Sequence, residues 1–276
     1  MLSRTFPWPQ GYTSAAMISV NLDAEFYGRI FYPGIDVSEG DILRLGRTGM
    51  EYGLPHLLEC FRARGVTATF FIPGRVAELY PDAVRAIAEA GHELGCHGYA
   101  HEILAHCSPE EQLALLKQAK AAIEQAAGRA AVGFRMPEGE ITEQTLIAAK
   151  AAGFAYSSSL SNTDIPYIRK PADLPELPIS WTLFDLPYFT FAFDPPIPPG
   201  SARSAGMDQV LDNWLCELEG TRRWGALFSL QLDPQATGEQ GRLFMLERVL
   251  DEIQAAGDVW LATGSELAAW TRQVQQ

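Results

Sequence analysis

Gly91-His92-Glu93-Leu94-Gly95-Cys96-His97-Gly98-Tyr99-Ala100-His101 is the stretch on which the reading of this chain turns. Just before it, Pro81 to Ala90 carries a helical pattern that Gly91 ends. Within it, Glu93 to Cys96 reads as a short buried strand, and His97 stands where that strand stops. His97 and His101 are four residues apart, and three of the five histidines of the chain lie in this stretch. Two imidazoles at that spacing converge on one ion if the backbone coils between them. A carboxylate from elsewhere in the fold would complete a site.

The same unit of helix, glycine, strand and polar strand end recurs on both sides. Ala15 to Leu22 is an apolar, partly β-branched run that ends in Asn21, Asp23 and Glu25 at alternate positions. In an extended segment these three share one face. Phe26 to Met50 has no clear period and reads as a loop. Glu51 to Arg64 carries the helical stripe Leu54, Leu57, Leu58 and Phe61, and Thr67 to Ile72 is a second strand. Ser108-Pro109-Glu110-Glu111 opens a helix that runs to Ala127 and stops at Gly128. Val132 to Phe134 is a strand leading into Arg135-Met136-Pro137-Glu138-Gly139. A helix from Thr142 ends at Gly153, and Phe154 to Ser157 is the next strand. Ser158 to Pro199 breaks the rhythm, with apolar pieces at Leu177 to Trp181 and Thr190 to Phe193 that read as a crossover with one more strand. Met207 to Leu218 is a helix, Ala226 to Leu232 a strand ending at Asp233, Glu239 to Ala256 a helix, and Val259 to Leu261 a last strand before a capped helix.

About seven alternations of strand and helix with short turns argue a parallel α/β architecture. A closed or nearly closed barrel fits better than a dinucleotide-binding sheet, because no Gly-x-Gly-x-x-Gly follows the first strand and no P-loop is present. A single domain over residues 1–276 suits that length. The formal net charge of −13 disfavours nucleic-acid binding. No apolar run is long enough to span a membrane, and Met1 to Gln10 lacks the basic start and apolar core of a signal peptide. The four cysteines form no Cys-x-x-Cys pair and read as reduced thiols, so a cytoplasmic protein is expected.

In a parallel barrel the strand ends lie on one face, where this architecture carries its chemistry. Collected there are Asn21, Asp23 and Glu25, His97 with His101, Arg135 with Glu138, and Asp233. Two His and one Asp leave positions open for water and substrate. Such a site polarises a carbonyl and lowers the pKa of a bound water to about 7, which suits hydrolysis of an amide or ester. The same ligand types serve non-haem iron oxygenases, but those sit on all-β scaffolds, which this pattern does not suggest.

The chain resembles the polysaccharide deacetylase (NodB-homology) family, closest to the branch holding intracellular peptidoglycan-deacetylase-like proteins, allantoinases and cyclic imide hydrolases. Val20-Asn21-Leu22-Asp23-Ala24-Glu25 is similar to its first motif, His97-Gly98-Tyr99-Ala100-His101 to its second and Phe134-Arg135-Met136-Pro137 to its third. Pro178-Ile179-Ser180-Trp181 with Asp185-Leu186-Pro187 is similar to the fourth, and Leu230-Gln231-Leu232-Asp233-Pro234 to the fifth. Glu51-Tyr52-Gly53 also fits this branch. The resemblance implies a distorted (β/α)7 barrel and a divalent metal ion, usually zinc, held by Asp23, His97 and His101. It implies hydrolysis of an N-acyl or other C–N bond in a small amide, imide or N-acyl compound. It gives Arg135 the orientation of the base, the backbone N–H after Pro137 a part in binding the oxyanion, and Trp181 a place in the substrate pocket, with Tyr99 a further wall. A homo-oligomer is expected by the same analogy.

Two positions depart from the family pattern. The base of the first motif, normally Asp, is Asn21, and the His of the fifth motif is Asp233. A neutral Asn cannot accept a proton, which puts a general-base term of ~10²–10⁴ at risk. An ionised Asp cannot protonate a leaving amine, though a carboxyl with a raised pKa could. Asp233 as base, Glu138 or Glu25 as the missing carboxylate, and a binding protein without efficient turnover all remain open, as does metal-free hydrolysis.

Overall fold

The apolar run near the start of the chain forms β1 (Ser14–Asn21), and all eight of its residues are buried. A strand buried on both faces needs neighbours on both edges and cover on both sides, which parallel α/β folds provide. The computed structural model describes residues 6–28, 44–138, 141–189 and 205–275. After a 3-10 turn (Ala24–Gly28), the chain forms α1 (Arg44–Thr48), a π-helical turn (Gly49–Gly53) and α2 (Leu54–Arg64). Then come β2 (Thr69–Ile72), α3 (Gly74–Leu79), α4 (Pro81–Glu89) and β3 (Glu93–Cys96). They are followed by α5 (Pro109–Ala127), β4 (Gly133–Phe134), α6 (Glu143–Ala151), β5 (Tyr156–Ser157), β6 (Tyr167–Arg169) and β7 (Leu174–Glu176). The last elements are α7 (Leu186–Phe189), α8 (Met207–Trp224), β8 (Leu227–Leu232), α9 (Gln240–Ala256), β9 (Val259–Leu261) and α10 (Gly264–Val274).

Seven strands run parallel in the order β7-β5-β4-β3-β2-β1-β8. The curled sheet closes back on itself only along a sparse seam. Phe184 bridges Gln231 of β8, the Asp185 amide donates to the Gln231 carbonyl, and the Leu227 amide donates to the Asp164 carbonyl. This is the expected α/β barrel in distorted, incomplete form. β6 adds an antiparallel edge beyond β7, and β9 lies beside Ser14–Ala16, on the edge of β1 whose far end pairs β2.

Several boundaries differ from the pattern read in the sequence, each for a physical reason. The helix before β2 begins at Arg44 and not at Glu51. Its first turns carry Gly46, Gly49 and Gly53, which blank the apolar period. α3 precedes the helix expected at Pro81, and α8 continues to Trp224. The extra strands between Ser158 and Pro199 are β6 and β7, earlier than Leu177–Trp181, and Trp181 opens a 3-10 turn (Trp181–Leu183). The apolar piece Thr190 to Phe193, Gly139 and most of the loop read at 26–50 lie outside the described residues. Among the described residues no helix is long and apolar enough to cross a membrane.

His92 belongs to this core and not to the site. Gly91 ends α4 with φ +86, and the His92 ring then packs edge-on against Phe61 at 5.6 Å and beside Phe70 at 5.1 Å. Its Nδ1 accepts the Ala68 amide at 3.1 Å, and burial pulls its pKa down to about 4. The unfolded chain therefore binds a proton at this residue from about pH 6.5 downward while the folded one does not. Stability falls as pH drops through that window, by about 2 kcal/mol between pH 7 and pH 5 from this residue alone. Urea unfolding at the two pH values should show that loss in the native protein and a shallower pH dependence in His92→Asn.

Candidate metal centre

Two strand ends deliver the three candidate ligands. β1 continues for one more bond, the Leu22 amide to the Phe71 carbonyl at 2.9 Å, and Asp23 follows. His97 follows β3, its amide on the Ile72 carbonyl at 2.9 Å. Between His97 and His101 the chain makes a turn, not a helix. Gly98 sits at φ +72, and the Glu102 carboxylate accepts the amides of Tyr99 at 2.9 Å and Ala100 at 2.6 Å. His101 itself is left-handed, φ +57, which is unusual for a non-glycine residue and aims its ring back at His97. The two rings stand 5.2 Å apart at 80°.

Asp23, His97 and His101 are all buried, and one ligand atom from each lies within 4.8 Å of the others. His101 Nε2 is 3.2 Å from Asp23 Oδ2, and His97 Nε2 is 3.6 Å from Asp23 Oδ1. The Nδ1–H of His97 donates to the Arg135 carbonyl at 2.9 Å, which turns the Nε2 lone pair toward Asp23. Asp23 Oδ1 is buried without a hydrogen-bond partner. Leaving such an oxygen unsatisfied costs about 1–3 kcal/mol or more, and a divalent cation among the three would satisfy it. Burial pushes the Asp23 pKa up, but the nearby His101 and His97 outweigh burial and hold it low. Burial drives His97 down to about 4, so it is a neutral imidazole, the form that ligates. For His101, burial is outweighed by the charge and hydrogen bond of Asp23, and its pKa is raised. Two imidazoles and one carboxylate with no fourth ligand among the described residues fit a divalent ion with open positions.

Behind the triad lies Arg135, at the end of β4. Its Nε donates to the Ser158 carbonyl at 3.0 Å and Nη2 to the Ser158 hydroxyl at 3.0 Å. Nη1 donates to Ser19 Oγ at 3.0 Å and to Asn21 Oδ1 at 2.9 Å, and the guanidinium lies over the Phe71 ring at 4.1 Å. Burial lowers its pKa to about 10, so it stays charged at neutral pH. The Asn21 side chain also stands near the carboxyl of Asp233, whose pKa it lowers. The register of β1 against β8, Val20 beside Leu232, sets those two residues side by side.

Asp233 is fully buried. Oδ1 accepts from Gln235 Nε2 at 3.0 Å, and Oδ2 has no partner. Burial, then the charges of Asp185 and Asp23, push its pKa well above the carboxylate range, against hydrogen bonds from Asn21 and Gln235. These surroundings favour the protonated carboxyl of Asp233 over its carboxylate. Asp185 accepts the Asp233 amide at 2.9 Å and the Thr237 hydroxyl at 2.5 Å, and burial raises its own pKa to about 7.

The remaining candidates divide. Glu138 is half-buried; burial raises its pKa, His101 lowers it and Asp23 raises it, so it shares the field of the triad. Glu25 is buried, but its Oε1 accepts from the Tyr80 hydroxyl at 2.5 Å and Arg47 Nε at 2.9 Å, which turns it to the fold. Pro137 lies beside the turn at Gly98. Tyr99 gives its hydroxyl to the Glu78 carboxylate at 3.1 Å, and Trp181 is 65% exposed beside Phe184. Ser19, Ser158 and Asp185 carry no role in the sequence reading, yet they hold Arg135 and Asp233 in place. Ser19 had left a trace, as the residue two before Asn21 on the same strand face. Replacing Asp23 or His101 by Ala should abolish stoichiometric binding of zinc in equilibrium dialysis. It should also remove the metal-induced stabilisation of the native protein, about 2.7 kcal/mol at one hundred times the dissociation constant.

Comparison with known proteins bears directly on this centre. The pattern of the polysaccharide deacetylases, "Polysaccharide deacetylase", matches residues 48–157. A peptidoglycan deacetylase of Helicobacter pylori is 30% identical over 266 residues, covering 86% of this chain and 89% of that protein. The crystal structure of a Mycobacterium smegmatis protein described as a polysaccharide deacetylase is 31% identical, with TM-score 0.91 over 99% of this chain and 95% of the other. An allantoinase crystal structure shares the fold, with TM-score 0.78 and 19% identity over 96% and 93% of the two chains. With a relative at that identity along most of its length and an Asp–His–His triad at the strand ends, the chain belongs to the polysaccharide deacetylase (NodB-homology) family, hydrolases of C–N bonds.

Proposed function

We propose that this chain is a metal-dependent hydrolase of a small amide, imide or N-acyl compound, working with Glu138 as general base and Asp233 as general acid. The observation that carries the reading is Asp233: a fully buried carboxyl with Oδ2 unpartnered, set beside Asn21 by the register of β1 on β8, with burial and the charges of Asp185 and Asp23 raising its pKa. The ion, zinc by its donor set, supplies carbonyl polarisation and a water whose pKa is near 7 when it is bound. Asp23, His97 and His101 would hold it.

The chain's own groups divide the proton work. Glu138 accepts the proton of the attacking water, and its partial burial raises its pKa toward the working range. The backbone N–H of Glu138, the one after Pro137, faces the developing oxyanion. Asp233 gives its proton to the leaving nitrogen. Asn21 takes no proton; it accepts from Arg135 and places a neutral side chain beside the acid. Pro137, Tyr99 and Trp181 are read as walls of the substrate pocket. The changed acid and base positions argue against efficient deacetylation of ordinary acetylated sugars. The exposed side chains Trp181, Trp224 and Phe244, at 65%, 68% and 69%, support a homo-oligomer, and cysteine usage supports a cytoplasmic location.

Asn21 favours a second reading, a binding protein on a deacetylase scaffold, because it is locked to Arg135 where the family places a base. Assay of a panel of amides and cyclic imides with zinc supplied separates the two. Asp233→Asn should keep the metal and lose ~10²–10⁴ in kcat. Activity should fall as pH rises through the raised pKa of Asp233, since the acid must be protonated. Asp185→Asn should move that alkaline limb to lower pH, because it removes a negative neighbour. No turnover at any pH by the zinc-loaded native protein would leave the binding reading in place.

A further inference from the structure

Gly46, Gly49 and Gly53 fall on one face of the helical segment formed by α1 and the π turn. None of them has the left-handed φ that glycine alone tolerates. What they provide is closeness. A Cβ on Gly46 would lie 2.1 Å from the Ala24 carbonyl oxygen and 2.8 Å from the Glu25 nitrogen. On Gly49 it would lie 2.7 Å from the Gln235 nitrogen, and on Gly53 2.1 Å from the Pro234 carbonyl oxygen. Every one of these nearest atoms is backbone, which cannot swing aside as a side chain does. The partner segments are the two that carry the chemistry: Ala24 and Glu25 follow Asp23, and Pro234 and Gln235 follow Asp233.

Other contacts bind the same pieces. Arg47, on the same short helix, and Tyr80 both hold the Glu25 carboxylate. His56, on α2, meets the Gly238 carbonyl through Nδ1 at 2.9 Å. Gly238 returns the approach, since a Cβ there would lie 2.4 Å from the Gly53 Cα. Ala24, the residue after Asp23, sits at φ +49, a conformation that persists only where the surroundings hold it.

We infer that Gly46, Gly49 and Gly53 are positioning residues: this helix face is a rigid spacer that sets the separation between the metal carboxylate Asp23 and the acid Asp233. It touches neither substrate nor ion. Gly46 acts on the Asp23 loop, and Gly49 and Gly53 act on the Asp233 loop. The inference rests on the proposed function only for the role given to Asp233.

The two ends of the spacer allow a test that needs no substrate. Gly46→Ala, Gly53→Ala and the milder Gly49→Ala are compared with Gly220→Ala on α8, where an added Cβ meets nothing within 4 Å. Amide hydrogen exchange and zinc affinity are read for each. Gly46→Ala should weaken zinc binding at least tenfold, and Gly53→Ala should leave it unchanged. Gly53→Ala and Gly49→Ala should speed exchange at Ala236, Thr237 and Gly238 at least tenfold while the β1–β8 ladder exchanges as in the native protein. Where turnover is measurable, Gly53→Ala should lower kcat by roughly 10²-fold, the scale of a displacement of about 1 Å. Equal effects of Gly46→Ala and Gly53→Ala on zinc, or native exchange at 236–238 in both Gly49→Ala and Gly53→Ala, would overturn the inference. A native kcat in Asp233→Asn would instead remove the role of Asp233 and leave the zinc and exchange results to decide the spacer.

Discussion

A guanidinium buried in the middle of a barrel must be matched on every side, since an uncompensated buried charge costs several kcal/mol. Arg135 meets that demand by bonding to three strands other than its own. Its nitrogens reach β1 at Ser19 and Asn21 and the end of β5 at Ser158, and its carbonyl takes the Nδ1–H of His97 after β3. Moving any of these strand ends breaks a hydrogen bond to a buried cation. The ring tautomer of one metal ligand, the orientation of Asn21 and the curl of the sheet therefore hang on one residue. The Phe71 ring lies over the guanidinium at 4.1 Å.

On the other side of Asn21 the electrostatics reverse. Three acids, Asp23, Asp185 and Asp233, are buried close together, with Arg135, Arg242 and two imidazoles facing them. Like charges in low dielectric do not all ionise. Asp23 keeps its charge because the imidazoles face it. Asp233 has a raised pKa because it is buried and faces Asp185 and Asp23. Asp233 stands where the family pattern has a His, in surroundings that raise the pKa of its carboxyl, with the neutral Asn21 beside it.

The triad was legible because histidine is rare in this chain and the strand ends could be placed from apolar runs. The alternating polar face at Asn21 and Asp23 pointed the same way. The barrel followed from the alternation of strand and helix bounded by glycines. The raised pKa of Asp233 could not be read, since it comes from burial and from Asp185, a residue 48 positions away that reaches its amide. β6 and β7 were hidden because each is three residues long and β7 contains Pro175. The onset of the helix at Arg44 was hidden by the glycines that make its contact. Residues chosen for closeness carry no side chain, and a hydrophobic period cannot register them.

The edge shared by β2 and β9 on β1 has a consequence for how the chain reaches this state. Ser14 pairs with Val259, and Ala15 with both Leu227 and Trp260. β1 stays open along one edge until more than two hundred further residues have emerged. Loop closure over such separations is entropically slow. During that interval an apolar strand with unpaired amides is available to any other chain. The polar pair near the end of β1, Ser19 and Asn21, accepts from Arg135 in the finished core. In the nascent chain it interrupts what would otherwise be a continuous aggregation-prone segment, so the residues that seat Arg135 also guard the strand before Arg135 arrives.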